Sequence, residues 1–87
     1  MSLSPKEIQI LTMVALGYCD KEIGIILGIS YGTVRTHIDR IVMKLRARNR
    51  SHAIIIYKLH NKDWLEDYYK EIKRDEYDSL LQYIGNA

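Results

Sequence analysis

Eighty-seven residues, 47% hydrophobic and 28% charged, suffice for one compact globular domain and exclude a large enzyme core or a disordered chain. The formal charge of +2 conceals an asymmetry: residues 1–62 hold ten Lys/Arg against four Asp/Glu, net +6, while residues 63–87 hold three against seven, net −4. A basic front suits a polyanion such as DNA, and an acidic tail is repelled from one. The apolar runs are far shorter than the ~20 residues of a membrane-spanning helix. The N-terminus lacks a basic region followed by an apolar stretch, so a cytoplasmic location is expected. Cys19 is alone, and His37, His52 and His60 are not in metal-binding spacing, so neither a disulfide nor a metal site is expected.

In chain order, Ser4-Pro5-Lys6-Glu7 combines an N-cap serine, a proline at the first helical position and a glutamate three residues after the cap. The first helix starts there, with Ile10, Leu11, Val14 and Ala15 at helical spacing and Gly17 as its stop. A short second helix is expected from about Asp20 to Leu27, capped by Asp20 or Cys19, with Ile23 and Leu27 on one face and Gly28 as its stop. Ser30 is the N-cap of the third and longest, whose buried stripe is Val34, Ile38, Ile41 and Leu45, running to about Arg46. After a basic turn, Ala47 to Arg50, a fourth helix passes through Ala53, Ile54, Tyr57 and Leu59. Gly17, Gly28 and Gly32 read as helix punctuation, and no β-hairpin pattern occurs.

Residues 63–87 read as one or two further amphipathic helices, an acidic, tyrosine-rich extension of a domain spanning residues 1–62. Leu65, Tyr68, Tyr69 and Ile72 form one stripe, and Tyr77, Leu80, Leu81 and Ile84 another.

The second and third helices, joined by a short turn containing Gly28, form a helix-turn-helix pattern, which by itself is common among all-α proteins. The content of the third helix sharpens it: Thr33, Arg35, Thr36, His37 and Arg40 supply the hydrogen-bonding and cationic groups that base edges and phosphates require. The stretches LSPKEIQIL (3–11), DKEIGIILGISYGTVRTHIDRIVMKL (20–45) and ARNRSHAI (47–54) closely resemble the LuxR/GerE-type helix-turn-helix domain of quorum-sensing receptors and response regulators.

That resemblance covers about residues 3–60 and implies an all-α, four-helix domain that binds double-stranded DNA, with the fourth helix contributing to dimerisation. Carried over by position, it implies base contacts from Arg35 and Thr36, with Arg35 suited to a bidentate pair with guanine, and Asp39 as a neighbouring groove residue. It implies backbone contacts from Lys21, Thr33 and His37, to which Arg40, Lys44 and Arg50 are added as candidate phosphate ligands. Val34 and Ile38 belong to the core.

The departures carry information too. Asp39 stands where a basic residue is common in the family; it either accepts a hydrogen bond from cytosine or pairs with Arg35 four residues earlier. Arg46 replaces the usual glycine after Lys44-Leu45, which is expected to change the end of the third helix. Cys19 replaces a usual serine, which weakens the cap. Ile8, Leu16, Ile25 and Ile26 stand at commonly polar positions and give the first two helices surplus apolar surface. Either the acidic extension covers it within the subunit, or a second copy or a foreign protein does. Ile55, Ile56, Trp64, Tyr68 and Tyr69 are the candidate dimer or partner surface.

The expectation is a sequence-specific transcription regulator, acting as a homodimer on an inverted repeat. A second expectation is an antagonist of the same fold that sequesters another regulator protein. No phosphoacceptor domain or small-molecule pocket is evident in these residues, which leaves abundance, a partner or a sensor domain elsewhere as the expected means of regulation. No pair or triad is arranged for catalysis, and no cofactor is expected.

Overall fold

The computed structural model describes residues 2–71, with side chains through residue 67. It contains five helices among the described residues: α1 (Pro5–Ala15), α2 (Asp20–Leu27), α3 (Tyr31–Lys44), α4 (Arg50–His60) and α5 (Trp64–Glu71). The second stripe expected in the tail, Tyr77 to Ile84, lies outside the described residues. No described helix is long and apolar enough to cross a membrane. The chain divides into two compact units, the first ending at Tyr57 and the second beginning at Lys58.

In the first unit α1, α2 and α3 pack against one another. Ile10, Leu11, Ile23, Val34, Ile38, Ile41, Leu45 and Ala53 are buried, and Leu3 closes the core at the N-terminal end. The stripe expected on α3 is thus buried along its whole length. Val14, Ala15 and Leu27 are half-buried at its margin. On α4 Ala53 is buried and Leu59 is 70% exposed.

The cap of α1 forms as expected. Ser4 Oγ accepts from the backbone N–H of Glu7 at 3.1 Å, and Glu7 Oε1 accepts from that of Ser4 at 2.7 Å. Glu7 also receives Lys44 Nζ at 2.8 Å, from the last turn of α3, so one carboxylate both caps α1 and fastens it to α3. Burial pushes its pKa up, but Lys44 and the Ser4 backbone N–H outweigh this and hold it below its ordinary value.

The first three helices end alike. After α1, the Tyr18 N–H returns to the Met13 carbonyl across Gly17 at φ 95°; after α2, the Ile29 N–H returns to the Gly24 carbonyl across Gly28 at φ 69°. After α3 the Ala47 N–H returns to the Val42 carbonyl across Arg46 at φ 54°. Arg46 therefore adopts the left-handed conformation that a glycine would supply. The end of α3 keeps the ordinary shape, contrary to the expectation drawn from this substitution, and bears the strain of a Cβ in that region.

Gly24 has a different purpose, which the sequence reading did not single out. A Cβ there would stand 2.8 Å from the Ile29 carbonyl oxygen, so its hydrogen atom permits the tight turn from α2 into α3. Gly32, expected as punctuation, is instead the second residue of α3, with open space where a Cβ would project.

The start of α4 is set by Asn49, whose Oδ1 accepts from the His52 N–H at 2.9 Å, while His52 Nδ1 accepts from the Arg48 N–H at 3.0 Å. In the second unit Lys58 donates to the Lys62 carbonyl and to the Glu66 carboxylate.

Candidate nucleic-acid interface

The junction of α2 and α3 is three residues, Gly28, Ile29 and Ser30. Ser30 caps α3 by accepting from the Thr33 N–H at 3.1 Å, and its hydroxyl lies 2.8 Å from that of Thr33. Because Val34, Ile38, Ile41 and Leu45 take the inner face of this end of the chain, the opposite face of α3 presents Tyr31, Thr33, Arg35, Thr36, Asp39 and Arg40 to solvent. Two rows at four-residue spacing run along it: Tyr31, Arg35 and Asp39 in one, Gly32, Thr36 and Arg40 in the other. Arg35 and Thr36 thus stand side by side, flanked by Asp39 and Arg40.

Thr36 Oγ1 donates to the Gly32 carbonyl at 3.0 Å, which orients the hydroxyl and leaves its oxygen free to accept. His37 is half-buried at the edge of this face, and its Nδ1 is buried without a hydrogen-bond partner among the described residues. Lys21, the second residue of α2, is exposed beside an open hollow it shares with Ser30 and Tyr31.

Arg35 is not paired with Asp39. Its Nη1 donates to the Tyr31 hydroxyl at 3.1 Å, its guanidinium carbon lies 5.9 Å from the centre of the Tyr31 ring, and its Nε faces Asp20 Oδ2 at 3.8 Å. The geometry explains the choice. Tyr31 sits one turn towards the α2 junction, and from there Arg35 reaches across to the first residue of α2.

Asp20 is the centre of this arrangement. It is not the cap of α2: Cys19 occupies that position, and the N–H of Cys19 is taken by Glu22 Oε1 at 2.9 Å. That hydrogen bond lowers the Glu22 pKa. Asp20 is 8% exposed and accepts two bonds from Arg50, at 2.5 and 2.9 Å. These bonds hold its pKa below the ordinary value and raise that of Arg50, against the burial of both.

Two cations expected to meet phosphate are therefore engaged inside the domain, Lys44 with Glu7 and Arg50 with Asp20. Lys21, Thr33, Arg35, Thr36, Asp39 and Arg40 share the exposed helix-turn-helix surface. Of the candidate dimer residues, Ile55 is 57% exposed on α4, and Ile56 and Trp64 are half-buried. The side chains of Tyr68 and Tyr69 lie outside the described residues. Ile25 and Ile26, on α2, are 82% and 57% exposed, while Ile8 and Leu16 are half-buried.

Sequence reading missed Asp20 and Tyr31 as partners of Arg35. The spacing of four residues between Tyr31 and Arg35 was a usable signal; the approach of Asp20 was not, since it depends on the crossing of two helices.

Residues 1–57 match the family of bacterial regulatory proteins of the luxR type, GerE. YhjB of Escherichia coli, which carries the name of an HTH-type transcriptional regulator, is 41% identical over 58 residues, 67% of this chain and 29% of its own. The response regulator protein VraR of Staphylococcus aureus is 37% identical over 59 residues, 68% of this chain and 28% of its own. The chain thus spans less than a third of the length of these curated relatives. No solved structure matches it.

Proposed function

Because the chain belongs to the luxR family of bacterial regulatory proteins, we propose that it regulates transcription by laying the exposed face of α3 in the major groove of duplex DNA. The observation that carries this reading is the juxtaposition of Arg35 and Thr36 on a face of α3 that holds no core side chain. A helix presented in this way fits the major groove, and an arginine there matches the N7 and O6 acceptors of guanine. Thr36 and Asp39 read adjacent base edges as acceptors, Asp39 towards cytosine. Lys21, Thr33, His37 and Arg40 meet phosphates on either side. Lys44 and Arg50 serve the scaffold instead.

The protein acts in the cytoplasm as a homodimer on an inverted repeat, with half-sites about 10 bp apart. Exposed Ile55 on α4 supports an interface there. Selection of binding sites from a random duplex library, followed by titration at several salt concentrations, tests the reading. The expected result is a two-fold symmetric site bound with a steep salt dependence. Arg35→Ala should flatten the preference at one base pair per half-site. Absence of any enriched sequence would overturn the proposal.

A second reading is favoured by the exposure of Ile25 and Ile26: the domain binds another regulator through α2 and withholds it from DNA. A tight heterocomplex together with no DNA binding by the isolated chain would establish that alternative over the first.

A further inference from the structure

We propose that Tyr31 is the positioning residue for Arg35, and that it sets how sharply the protein discriminates at the base pair Arg35 reads. The inference rests on the base-reading role of Arg35 given above. An arginine on a solvent-exposed helix face samples many rotamers, and ordering it on a base edge costs conformational entropy. Here the ordering is largely done before DNA arrives. The Tyr31 hydroxyl accepts from Nη1 at 3.1 Å, the guanidinium carbon lies 5.9 Å from the ring centre, and Asp20 Oδ2 faces Nε at 3.8 Å.

Among the described residues these contacts leave both N–H groups of Nη2 and the second of Nη1 without a partner, enough for the two parallel bonds that guanine accepts. Arg35 nonetheless keeps half of its side chain exposed, 51%, so the held guanidinium is accessible. Asp20 cannot follow Arg35 outward, because Arg50 holds its carboxylate in two bonds. Tyr31, by contrast, is 48% exposed at the first position of α3 and lies in the same row as Arg35, so it can accompany the guanidinium into the groove. A constrained arginine rejects a wrong base more strongly than a free one, which can reorient to another acceptor or to a phosphate.

The test uses the full 87-residue chain and its selected duplex site. Affinities are measured for the site and for duplexes altered one base pair at a time, with wild type, Arg35→Ala, Tyr31→Phe and Tyr31→Leu. Thermal unfolding of each variant is recorded alongside. Tyr31→Leu, which removes both hydroxyl and ring, should lower discrimination about fivefold at the Arg35 base pair, within the range a bidentate contact supplies, and leave the other positions unchanged. Tyr31→Phe keeps the ring and should lose less, at the same position only. If Arg35→Ala flattens one position and Tyr31→Leu leaves that position sharp, or weakens all positions equally, the role of Tyr31 is overturned while that of Arg35 stands. If Arg35→Ala flattens no position, the base-reading role fails and this inference with it.

Discussion

The carboxylate of Asp20 receives two hydrogen bonds from Arg50, 30 residues further along the chain, and so joins the first residue of α2 to the first residue of α4. The pair lies at the boundary of the core, with Asp20 almost covered and the Arg50 side chain 34% exposed. It ties the start of the helix-turn-helix to α4, and Asp20 Oδ2 is the carboxylate oxygen that faces Arg35.

Removing either partner strands the other. Asp20→Ala and Arg50→Ala should each destabilise the domain by about 2–3 kcal/mol, below the full penalty for a buried pair because water still reaches Arg50. The double variant should cost much less than the sum of the two. Urea denaturation of the four proteins checks this. Additive losses would mean that the pair contributes nothing as a unit.

Acid should loosen the same contacts. Glu7 and Asp20 both bind a proton less readily in the folded chain than at their ordinary values of 4.5 and 3.8. The unfolded chain therefore takes up protons first as the pH falls, and their stabilisation is full at neutral pH. It declines below about pH 4.5 and is gone once the pH has passed the lowered folded values. Stability measured in urea between pH 7 and pH 2.5 should follow that course. Asp20→Asn should start lower and fall less.

Gly24→Ala tests the tight junction. Alanine is the better helix former by about 1 kcal/mol. Its Cβ would nevertheless meet a backbone oxygen, that of Ile29, at 2.8 Å, and neither α2 nor the turn can yield without moving α3. A net loss of about 1–2 kcal/mol is expected. An increase in melting temperature would show that the junction relaxes freely.

Arg46→Gly should act in the opposite direction. The left-handed conformation at φ 54° costs a residue with a Cβ about 1–2 kcal/mol, and the added freedom of glycine in the unfolded chain offsets about 0.5–1 kcal/mol of the relief. A gain of about 0.5–1 kcal/mol remains, or roughly 3–6 °C in melting temperature for a domain of this size. An unchanged or lowered melting temperature would mean that Arg46 has stabilising contacts that compensate.

Much of the fold is legible along the chain because its signals are local. Ser4 with Glu7, Ser30, and the left-handed stops at Gly17 and Gly28 each act within five residues, so they delimit α1, α2 and the start of α3 without knowledge of the rest. The stripe from Val34 to Leu45 separates the inner face of α3 from its outer face for the same reason. The roles of individual charges were less legible. Glu7 and Lys44 are 37 residues apart, and nothing in the periodicity of either helix selects one for the other.

Short-range spacing and residue type were enough to read the helices and the buried side of α3 along the chain, whereas Arg35 and Thr36 became candidate readers through the family resemblance, position by position. Helix packing, by contrast, selects which cations are engaged within the domain. Lys44 and Arg50 are held by carboxylates from distant helices, and Arg35 is steadied by Tyr31 and faced by Asp20. The physical reason is that an ion pair depends on a separation of a few ångströms, which helix packing sets, whereas the helix itself depends on neighbours only three or four residues away.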